Sequence, residues 1–236
     1  MNGFDSSILT FLNQFAHRSR VFDTIMVLVC DTHILKGGVM MALLCWEWFR
    51  EDERKSERRE ILLSSFLACF VAVFVARVLA HVLPFRERPL YNLELHFQMP
   101  YTFSPKELIG WSSFPSDHAT LFFALATGIL LESRFLGVLA VSYVLFFISL
   151  PRIYLGIHYP TDIIAGAVLG SGIAYLASLE NVRSSVASRC LLWQQKHPSL
   201  FYALFFLLSY QIATLFDDVR GIGGAIFWMF SGMPTP

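Results

Sequence analysis

The sequence predicts an all-α, polytopic membrane bundle of about six transmembrane helices with an N-terminal interfacial helix, and three observations carry that expectation. Of 236 residues, 55% are hydrophobic and only 15% charged, with a mean hydropathy of +0.55. A soluble domain of this size carries about a quarter charged residues. The apolar residues gather into runs near 31–49, 60–83, 118–132, 135–151, 162–179 and 199–216, on the ~20-residue scale of a helix that crosses a bilayer. Between alternate runs lie clusters of Lys and Arg, the usual mark of loops on one membrane face. One membrane-embedded unit is expected over residues 1–236, with its motif-bearing core at about 60–180.

Taken in order, each element has its own warrant. Phe4, Ile8, Leu9, Leu12 and Phe15 recur at helical spacing among polar residues, which suits a short helix lying in the interface. The same stretch lacks the basic region, apolar run and small-residue site of a cleavable signal peptide. The first long run opens on Asp31, His33 and Lys36 and is the least clean of the six. The third and fourth are short and separated only by Glu132, Ser133 and Arg134, a tight helical hairpin. In the fifth, Gly166 and Gly170 form a small-xxx-small pair suited to close packing within the bundle. The last twenty residues, 217–236, are Gly-rich and are assigned no structure.

Cysteine and charge narrow the function classes. Cys30, Cys45, Cys69 and Cys190 have no disulfide or zinc spacing and read as small core residues. No metal or cofactor is expected. A formal net charge of zero provides no global field for nucleic acid. Arg54, Lys55, Arg58 and Arg59, then Arg134, then Arg183, Arg189 and Lys196 fall on one face if six helices alternate, and that face is expected to be cytoplasmic. Residues 51–60 read as a solvated loop with no catalytic role. The opposite face also carries Arg86, Arg88, Lys106 and Arg152, and chemistry accounts for them better than topology does.

Three segments at helix ends on that opposite face combine Arg with Pro or set His beside a small polar residue. They are His81-Val-Leu-Pro-Phe-Arg86-Glu-Arg88-Pro89, then Phe114-Pro-Ser116-Asp117-His118, then Pro151-Arg152 through His158 to Asp162. Phosphate carries dispersed negative charge, and the Arg fork matches its oxygens; Arg88 and Arg152 offer two such forks. A helix start at Ser116 or Asp117, either of which can cap, adds unpaired N–H groups. His118 and His158 can divide nucleophile and general acid because imidazole titrates near neutrality. Asp162, one helical turn after His158, can orient its ring.

These segments resemble the three signatures of the type-2 phosphatidic acid phosphatase family, which read Lys-x6-Arg-Pro, Pro-Ser-Gly-His and Ser-Arg-x5-His-x3-Asp. Arg88-Pro89 matches the end of the first, Pro115-Ser116-Asp117-His118 the second with Asp for Gly, and Arg152, His158 and Asp162 the third. The resemblance covers about residues 60–180. It implies that His158 attacks phosphorus with Asp162 as orienting partner, and that His118 protonates the leaving oxygen and later activates water. It implies a phosphate cradle of Arg88, Arg152, Ser116, Asp117 and nearby backbone amides, without metal. Two positions depart from the pattern: Pro151 replaces Ser, and His81 stands where the family has Lys. The missing cation could come from a protonated His81, from Arg77 or from Arg86.

The remaining outer-loop residues are given plainer roles. Arg86 reads as a headgroup anchor and His96 as a loop residue, while Tyr91, Tyr101, Phe103 and Trp111 read as an interfacial belt. The expected function is hydrolysis of a lipid phosphate or diphosphate. Polyprenyl diphosphates such as undecaprenyl diphosphate come first, then lipids of the phosphatidic acid or phosphatidylglycerol phosphate type. The expected setting is a bacterial inner membrane with the site facing the periplasm or exterior. The expected partners are that substrate and membrane lipids; oligomeric state is left open. A lipid-linked phosphotransferase using the same site and a non-enzymatic transporter are the alternatives. A transporter would carry its polar residues at mid-membrane.

Overall fold

The structure, a computed structural model, describes residues 2–101, 103, 108–219, 221 and 222. Lys106 and the stretch 223–236 lie outside the described residues. Among the described residues every regular element is helical. The elements are α1 (Gly3–Asn13), α2 (Arg20–Asp31), a π-helical turn Ile34–Gly38 leading into α3 (Val39–Phe49), α4 (Lys55–Val82), α5 (Asp117–Glu132), α6 (Arg134–Tyr143), a second π-helical turn Val144–Ser149 leading into α7 (Leu150–Tyr154), α8 (Pro160–Ser178), α9 (Glu180–Lys196) and α10 (Pro198–Ala213).

By length and composition α4, the continuous α6–α7 unit and α8 can each cross a membrane, and a fourth crossing results if α2 and Ile34–Phe49, bent by 67°, count as one span. The expected first span therefore starts earlier and is broken at Thr32 and His33, where polar residues interrupt the apolar run. The 16-residue α5 and α10 reach only about 24 Å at 1.5 Å per residue, short of a bilayer's ~30 Å hydrocarbon core. The six expected runs all coincide with helices, but as full crossings they are unequal.

The short α5 is the hub. Its Leu121, Phe122, Leu125 and Ile129 are fully buried with Leu62, Phe66 and Cys69 of α4. Lipid tails are as apolar as these side chains, so close fit rather than water exclusion holds the helices together. Gly166 and Gly170 of α8 supply that fit. A Cβ at Gly170 would lie 2.0 Å from the Thr120 carbonyl oxygen, and one at Gly166 would lie 2.7 Å from that of Ser116. The small-residue pair thus seats α8 on the first turns of α5. On the outside, Val71, Phe74, Val78 and Val82 of α4 form an exposed apolar row at spacings of three and four, a face suited to lipid.

Three sequence expectations are corrected here. The helix α1 does not simply float in an interface: Asp5 is fully buried, accepts from the backbone N–H of Thr161 at 2.9 Å and pairs with Arg86 at 2.7 Å. Residues 51–60 are not only a solvated loop, because Arg58 is fully buried between Asp52, Glu47 and Glu132. The connection after α8 is not loop but α9, whose Arg183 and Ser188 reach Glu57 and Glu60 of α4. Of the expected aromatic belt, Tyr101 and Trp111 are exposed. Tyr91 and Phe103 instead pack against the buried cluster around Tyr154 and Leu155.

Candidate active site

The third motif is built by a helix end, a turn and a helix start. Arg152 sits in α7, 2% exposed, and donates to the Ile148 carbonyl at 2.6 Å. The chain turns at Gly156 and delivers His158, after which Pro160 opens α8 at a position where its missing N–H costs nothing. Asp162 caps that helix by accepting the Tyr159 backbone N–H at 2.7 Å with Oδ2, while Oδ1 accepts from Arg86 at 2.5 Å.

His158 is buried, and its Nδ1 lies 2.8 Å from the carbonyl oxygen of Ser113. A carbonyl can only accept, so Nδ1 carries the proton and Nε2 keeps its lone pair. Asp162 is 3.7 Å from the same nitrogen, too far for a hydrogen bond. Two groups therefore face Nδ1: the Ser113 carbonyl, which fixes the tautomer, and the expected partner Asp162, whose carboxylate stands beside it while also holding Arg86 and the Tyr159 N–H. Burial pushes the His158 imidazole below its ordinary value, and the positive charges of Arg88 and Arg152 lower it further, against an opposing pull from Asp162.

The first motif crosses this turn. Beyond α4 the chain runs extended to Arg88, which donates to the Ile157 carbonyl at 2.8 Å and the Ser112 carbonyl at 3.4 Å. Its buried Nε has no hydrogen-bond partner among the described residues. The second motif starts α5. Ser116, not Asp117, is the N-cap, its Oγ accepting from Ala119 N–H at 3.4 Å. Ser116 is fully buried and does not line the cavity described next, so its expected side-chain contact with phosphate is not supported. Asp117 pairs with Arg77 of α4 at 2.5 Å. A carboxylate so placed repels an anion, which argues against Asp117 as a phosphate ligand except through its backbone N–H.

These elements meet at one end of the bundle around a cavity of about 1140 Å³. His118, His158, Arg88, Arg152, Asp117 and His81 line it, together with Arg77, Trp111, Cys30, Asp31, Lys36 and Asp217. Four of the lining groups are Lys or Arg. His81 is exposed, and its Nδ1 lies 2.7 Å from the Arg77 carbonyl. Arg86, one of the expected substitutes for the missing Lys, does not line the cavity. It is held by Asp5, Asp162 and Thr161, with its guanidinium 4.1 Å from the Tyr159 ring centroid. Among the described residues no group of three or more His, Cys, Asp or Glu could hold a metal ion. Sequence reasoning missed Ser113, whose contribution is a carbonyl that any residue supplies. It also missed Lys36, which stood 52 positions before Arg88 inside an apolar run.

The PAP2 superfamily model matches residues 61–183, just over half of the chain. The chain belongs to the PAP2 superfamily. It is 26% identical over 169 residues to undecaprenyl-diphosphatase BcrC of Bacillus subtilis strain 168, an alignment covering 72% of this chain and 80% of that protein. Over shorter stretches it is 44% identical across 59 residues to the bacitracin transport permease protein BcrC of Bacillus licheniformis, covering 25% of this chain and 29% of that one. It is 38% identical across 66 residues to the undecaprenyl-diphosphatase of Sulfolobus acidocaldarius, covering 28% and 32%. These last two matches span about a third or less of the relatives' own lengths. No solved structure matches the chain. As a PAP2 member it has Arg88, His118, Arg152, His158 and Asp162 within the matched region, whereas Asp5 and Lys36 fall before it.

Proposed function

We propose that this chain is an integral membrane phosphatase that removes the terminal phosphoryl group of a lipid diphosphate, with a polyprenyl diphosphate such as undecaprenyl diphosphate as first choice of substrate. The observation that carries the reading is the His158–Ser113 carbonyl bond of 2.8 Å, which leaves Nε2 with its lone pair in a cavity shared with His118, Arg88 and Arg152. The two relatives named as undecaprenyl-diphosphatases support the choice of substrate.

In this reading Nε2 of His158 attacks the terminal phosphorus as the bond to the bridging oxygen breaks. His118 gives its proton to that oxygen, and the lipid monophosphate leaves. A water molecule then attacks the phosphohistidine phosphorus, His118 takes its proton, and the P–N bond breaks to release inorganic phosphate. Arg88 and Arg152 hold the equatorial oxygens, and the unpartnered Nε of Arg88 is one donor a phosphate oxygen would satisfy. Asp162 stabilises the positive charge that gathers on the ring. The chain acts as one unit over residues 1–236 in a bacterial inner membrane. Its Arg58 end faces the cytoplasm and its cavity end the periplasm or exterior, as the loop charges favour. An impermeant thiol reagent on intact cells should then label a cysteine placed at exposed Leu93 and not one at Lys55.

The deciding assay measures phosphate release by the full chain from diacylglycerol and polyprenyl mono- and diphosphates, with wild type and His158→Ala side by side. Release only from lipids and only by wild type is expected. Substantial lipid turnover by His158→Ala sinks the mechanism, and phosphate appearing on an alcohol acceptor instead of in solution would favour the transferase reading.

A further inference from the structure

Lys36 occupies an unusual place. It is 7% exposed, lies in a run that is otherwise membrane-like, and lines the cavity that holds His158. It makes no side-chain hydrogen bond or ion pair with any described residue. A buried ammonium without a partner is costly, and ionisable residues kept in such places mark ligand sites.

The backbone around Lys36 is held on both sides. It sits in the π-helical turn Ile34–Gly38, a type of irregularity frequent at functional sites. The carbonyl of Leu35 accepts from the Tyr143 hydroxyl at 2.5 Å. On the other side Gly37 lies so close to α10 that a Cβ there would be 2.3 Å from backbone atoms of Ala213. Lys36 is therefore a positioned cation rather than a side chain sweeping a surface.

Its neighbours say which part of a ligand it meets. The charges acting on His158 are those of Arg88, Asp162 and Arg152, and those acting on Lys36 are Arg152, Asp217, Cys30 and Asp31. Arg152 is common to both sets, and Lys36, Arg152 and His158 line the same cavity. A terminal phosphate held before His158 by Arg88 and Arg152 carries its still-attached second phosphate toward the other cations that line the cavity, of which Lys36 is the buried one among the described residues. We infer that Lys36 binds the lipid-side phosphate of a diphosphate substrate and so sets the preference for diphosphate over monophosphate lipids, an inference that rests on the phosphatase reading above.

The test compares Lys36→Met and Lys36→Arg with wild type, as full chains in detergent at pH 7, on a polyprenyl diphosphate and the matching monophosphate. Lys36→Met should lose about 10–100-fold in kcat/KM on the diphosphate, the range of one charged hydrogen bond, and change less than about threefold on the monophosphate. Lys36→Arg should recover most of the loss. If Lys36→Met does not fold, Lys36→Gln should give the same selective loss. An equal loss on both lipids, or no loss on the diphosphate, overturns the proposal. Binding separates this from failure of the phosphatase reading. Pyrophosphate should raise the thermal midpoint of wild type more than orthophosphate does, and Lys36→Met should abolish that difference even if neither lipid is hydrolysed. An unchanged difference sinks the Lys36 role alone.

Discussion

The two ends of the bundle both bury arginine, but they satisfy it differently. At the end away from the cavity, Arg58 donates to Asp52 at 2.5 Å and to the carbonyls of Glu47 and Arg50, with carboxylates of Glu47 and Glu132 at 3.8 and 4.0 Å. Arg50, Arg54 and Arg183 are likewise paired with acids there. At the cavity end Arg88 and Arg152 are almost as buried, yet among the described residues they donate to carbonyls and make no ion pair. A carbonyl satisfies an N–H without cancelling its charge. Arg58 is spent inside the protein, whereas Arg88 and Arg152 keep their charge for an anion. Arg86 and Arg88 repeat the contrast two residues apart, because Arg86 is held by Asp5 and Asp162.

The largest expected effect breaks function at one end without touching the fold. His158→Ala should lower kcat by about 10³-fold or more, as removal of a nucleophile does, with the thermal midpoint in detergent close to wild type. A midpoint drop comparable to that of a core mutant would mean that His158 is a packing residue. Arg58→Ala should do the reverse. It leaves Glu47 and Glu132 buried beside a vacancy, a change worth about 3–5 kcal/mol in a buried ion network, while the folded fraction keeps its kcat/KM. Chemical denaturation alongside activity per folded molecule checks both halves.

The neighbouring pair sharpens the same contrast at smaller magnitude. Arg88→Ala should cost about 10–150-fold in kcat/KM, corresponding to the ~1.5–3 kcal/mol of a charge-assisted hydrogen bond, with little loss of stability. Arg86→Ala should chiefly lower stability and loosen α1 from α8, since Asp5 and Asp162 lose their shared cation. If both variants lost activity equally and stability equally, carbonyl-held and carboxylate-held arginines would not differ in role.

How much of this was legible beforehand depends on what each residue contributes. The helical runs and the hairpin at Glu132, Ser133 and Arg134 were readable because apolar runs and the short polar break between them are local signals. Arg88, His118, Arg152 and His158 were readable because motif spacing fixes them, and the structure brings them to one cavity. The role of Arg86 was not, because it turns on Asp5, more than 75 positions away, and no local pattern announces that partner. Ser113 acts through its carbonyl, which leaves no mark in side-chain chemistry. Lys36 was visible only as a blemish in an apolar run; its significance came from a π-helical turn that sequence periodicity does not resolve.

The pH dependence follows from the cavity's uncancelled charge. Burial and the two arginines hold the His158 ring below its ordinary value near 6.5. The active form is the neutral ring, so activity is lost as pH falls through that lowered value and is kept above it. For wild type, the acid limb of kcat/KM should therefore lie below about pH 6.5. A phosphate's own second ionisation, near pH 6, lies in the same region, so the assignment rests on a difference between variants. Arg88→Ala removes one of the charges that depress the ring and should move the acid limb upward. Arg86→Ala should not. Coincident limbs in wild type and Arg88→Ala would place the titration on the substrate.

The smallest effect concerns Arg77, among the described residues the one cavity arginine with a carboxylate partner. Its guanidinium meets Asp117 at 2.5 Å and lies 4.9 Å from the Trp111 ring centroid. It thus combines the habit of the structural end with a place on the functional one. Both partners are partly exposed, so their mutual attraction is screened and worth little as stability. Asp117 also opens α5, where a negative charge gains a few tenths to about 1 kcal/mol from the helix dipole. Asp117→Asn should therefore cost no more than about 1 kcal/mol in stability, since the amide keeps the size and the first-turn position. Its effect on binding runs the other way. Removing the carboxylate breaks this ion pair and lets the Arg77 guanidinium turn to the anion, so KM for an anionic lipid should fall by about three- to tenfold at low salt. The gain should shrink as ionic strength rises, because this pair is not deeply buried. In the double variant with Arg77→Ala the gain should vanish. A KM that is unchanged at low salt, or a gain that survives Arg77→Ala, would mean that Asp117 limits binding through His118 or the helix start and that its pairing with Arg77 is incidental.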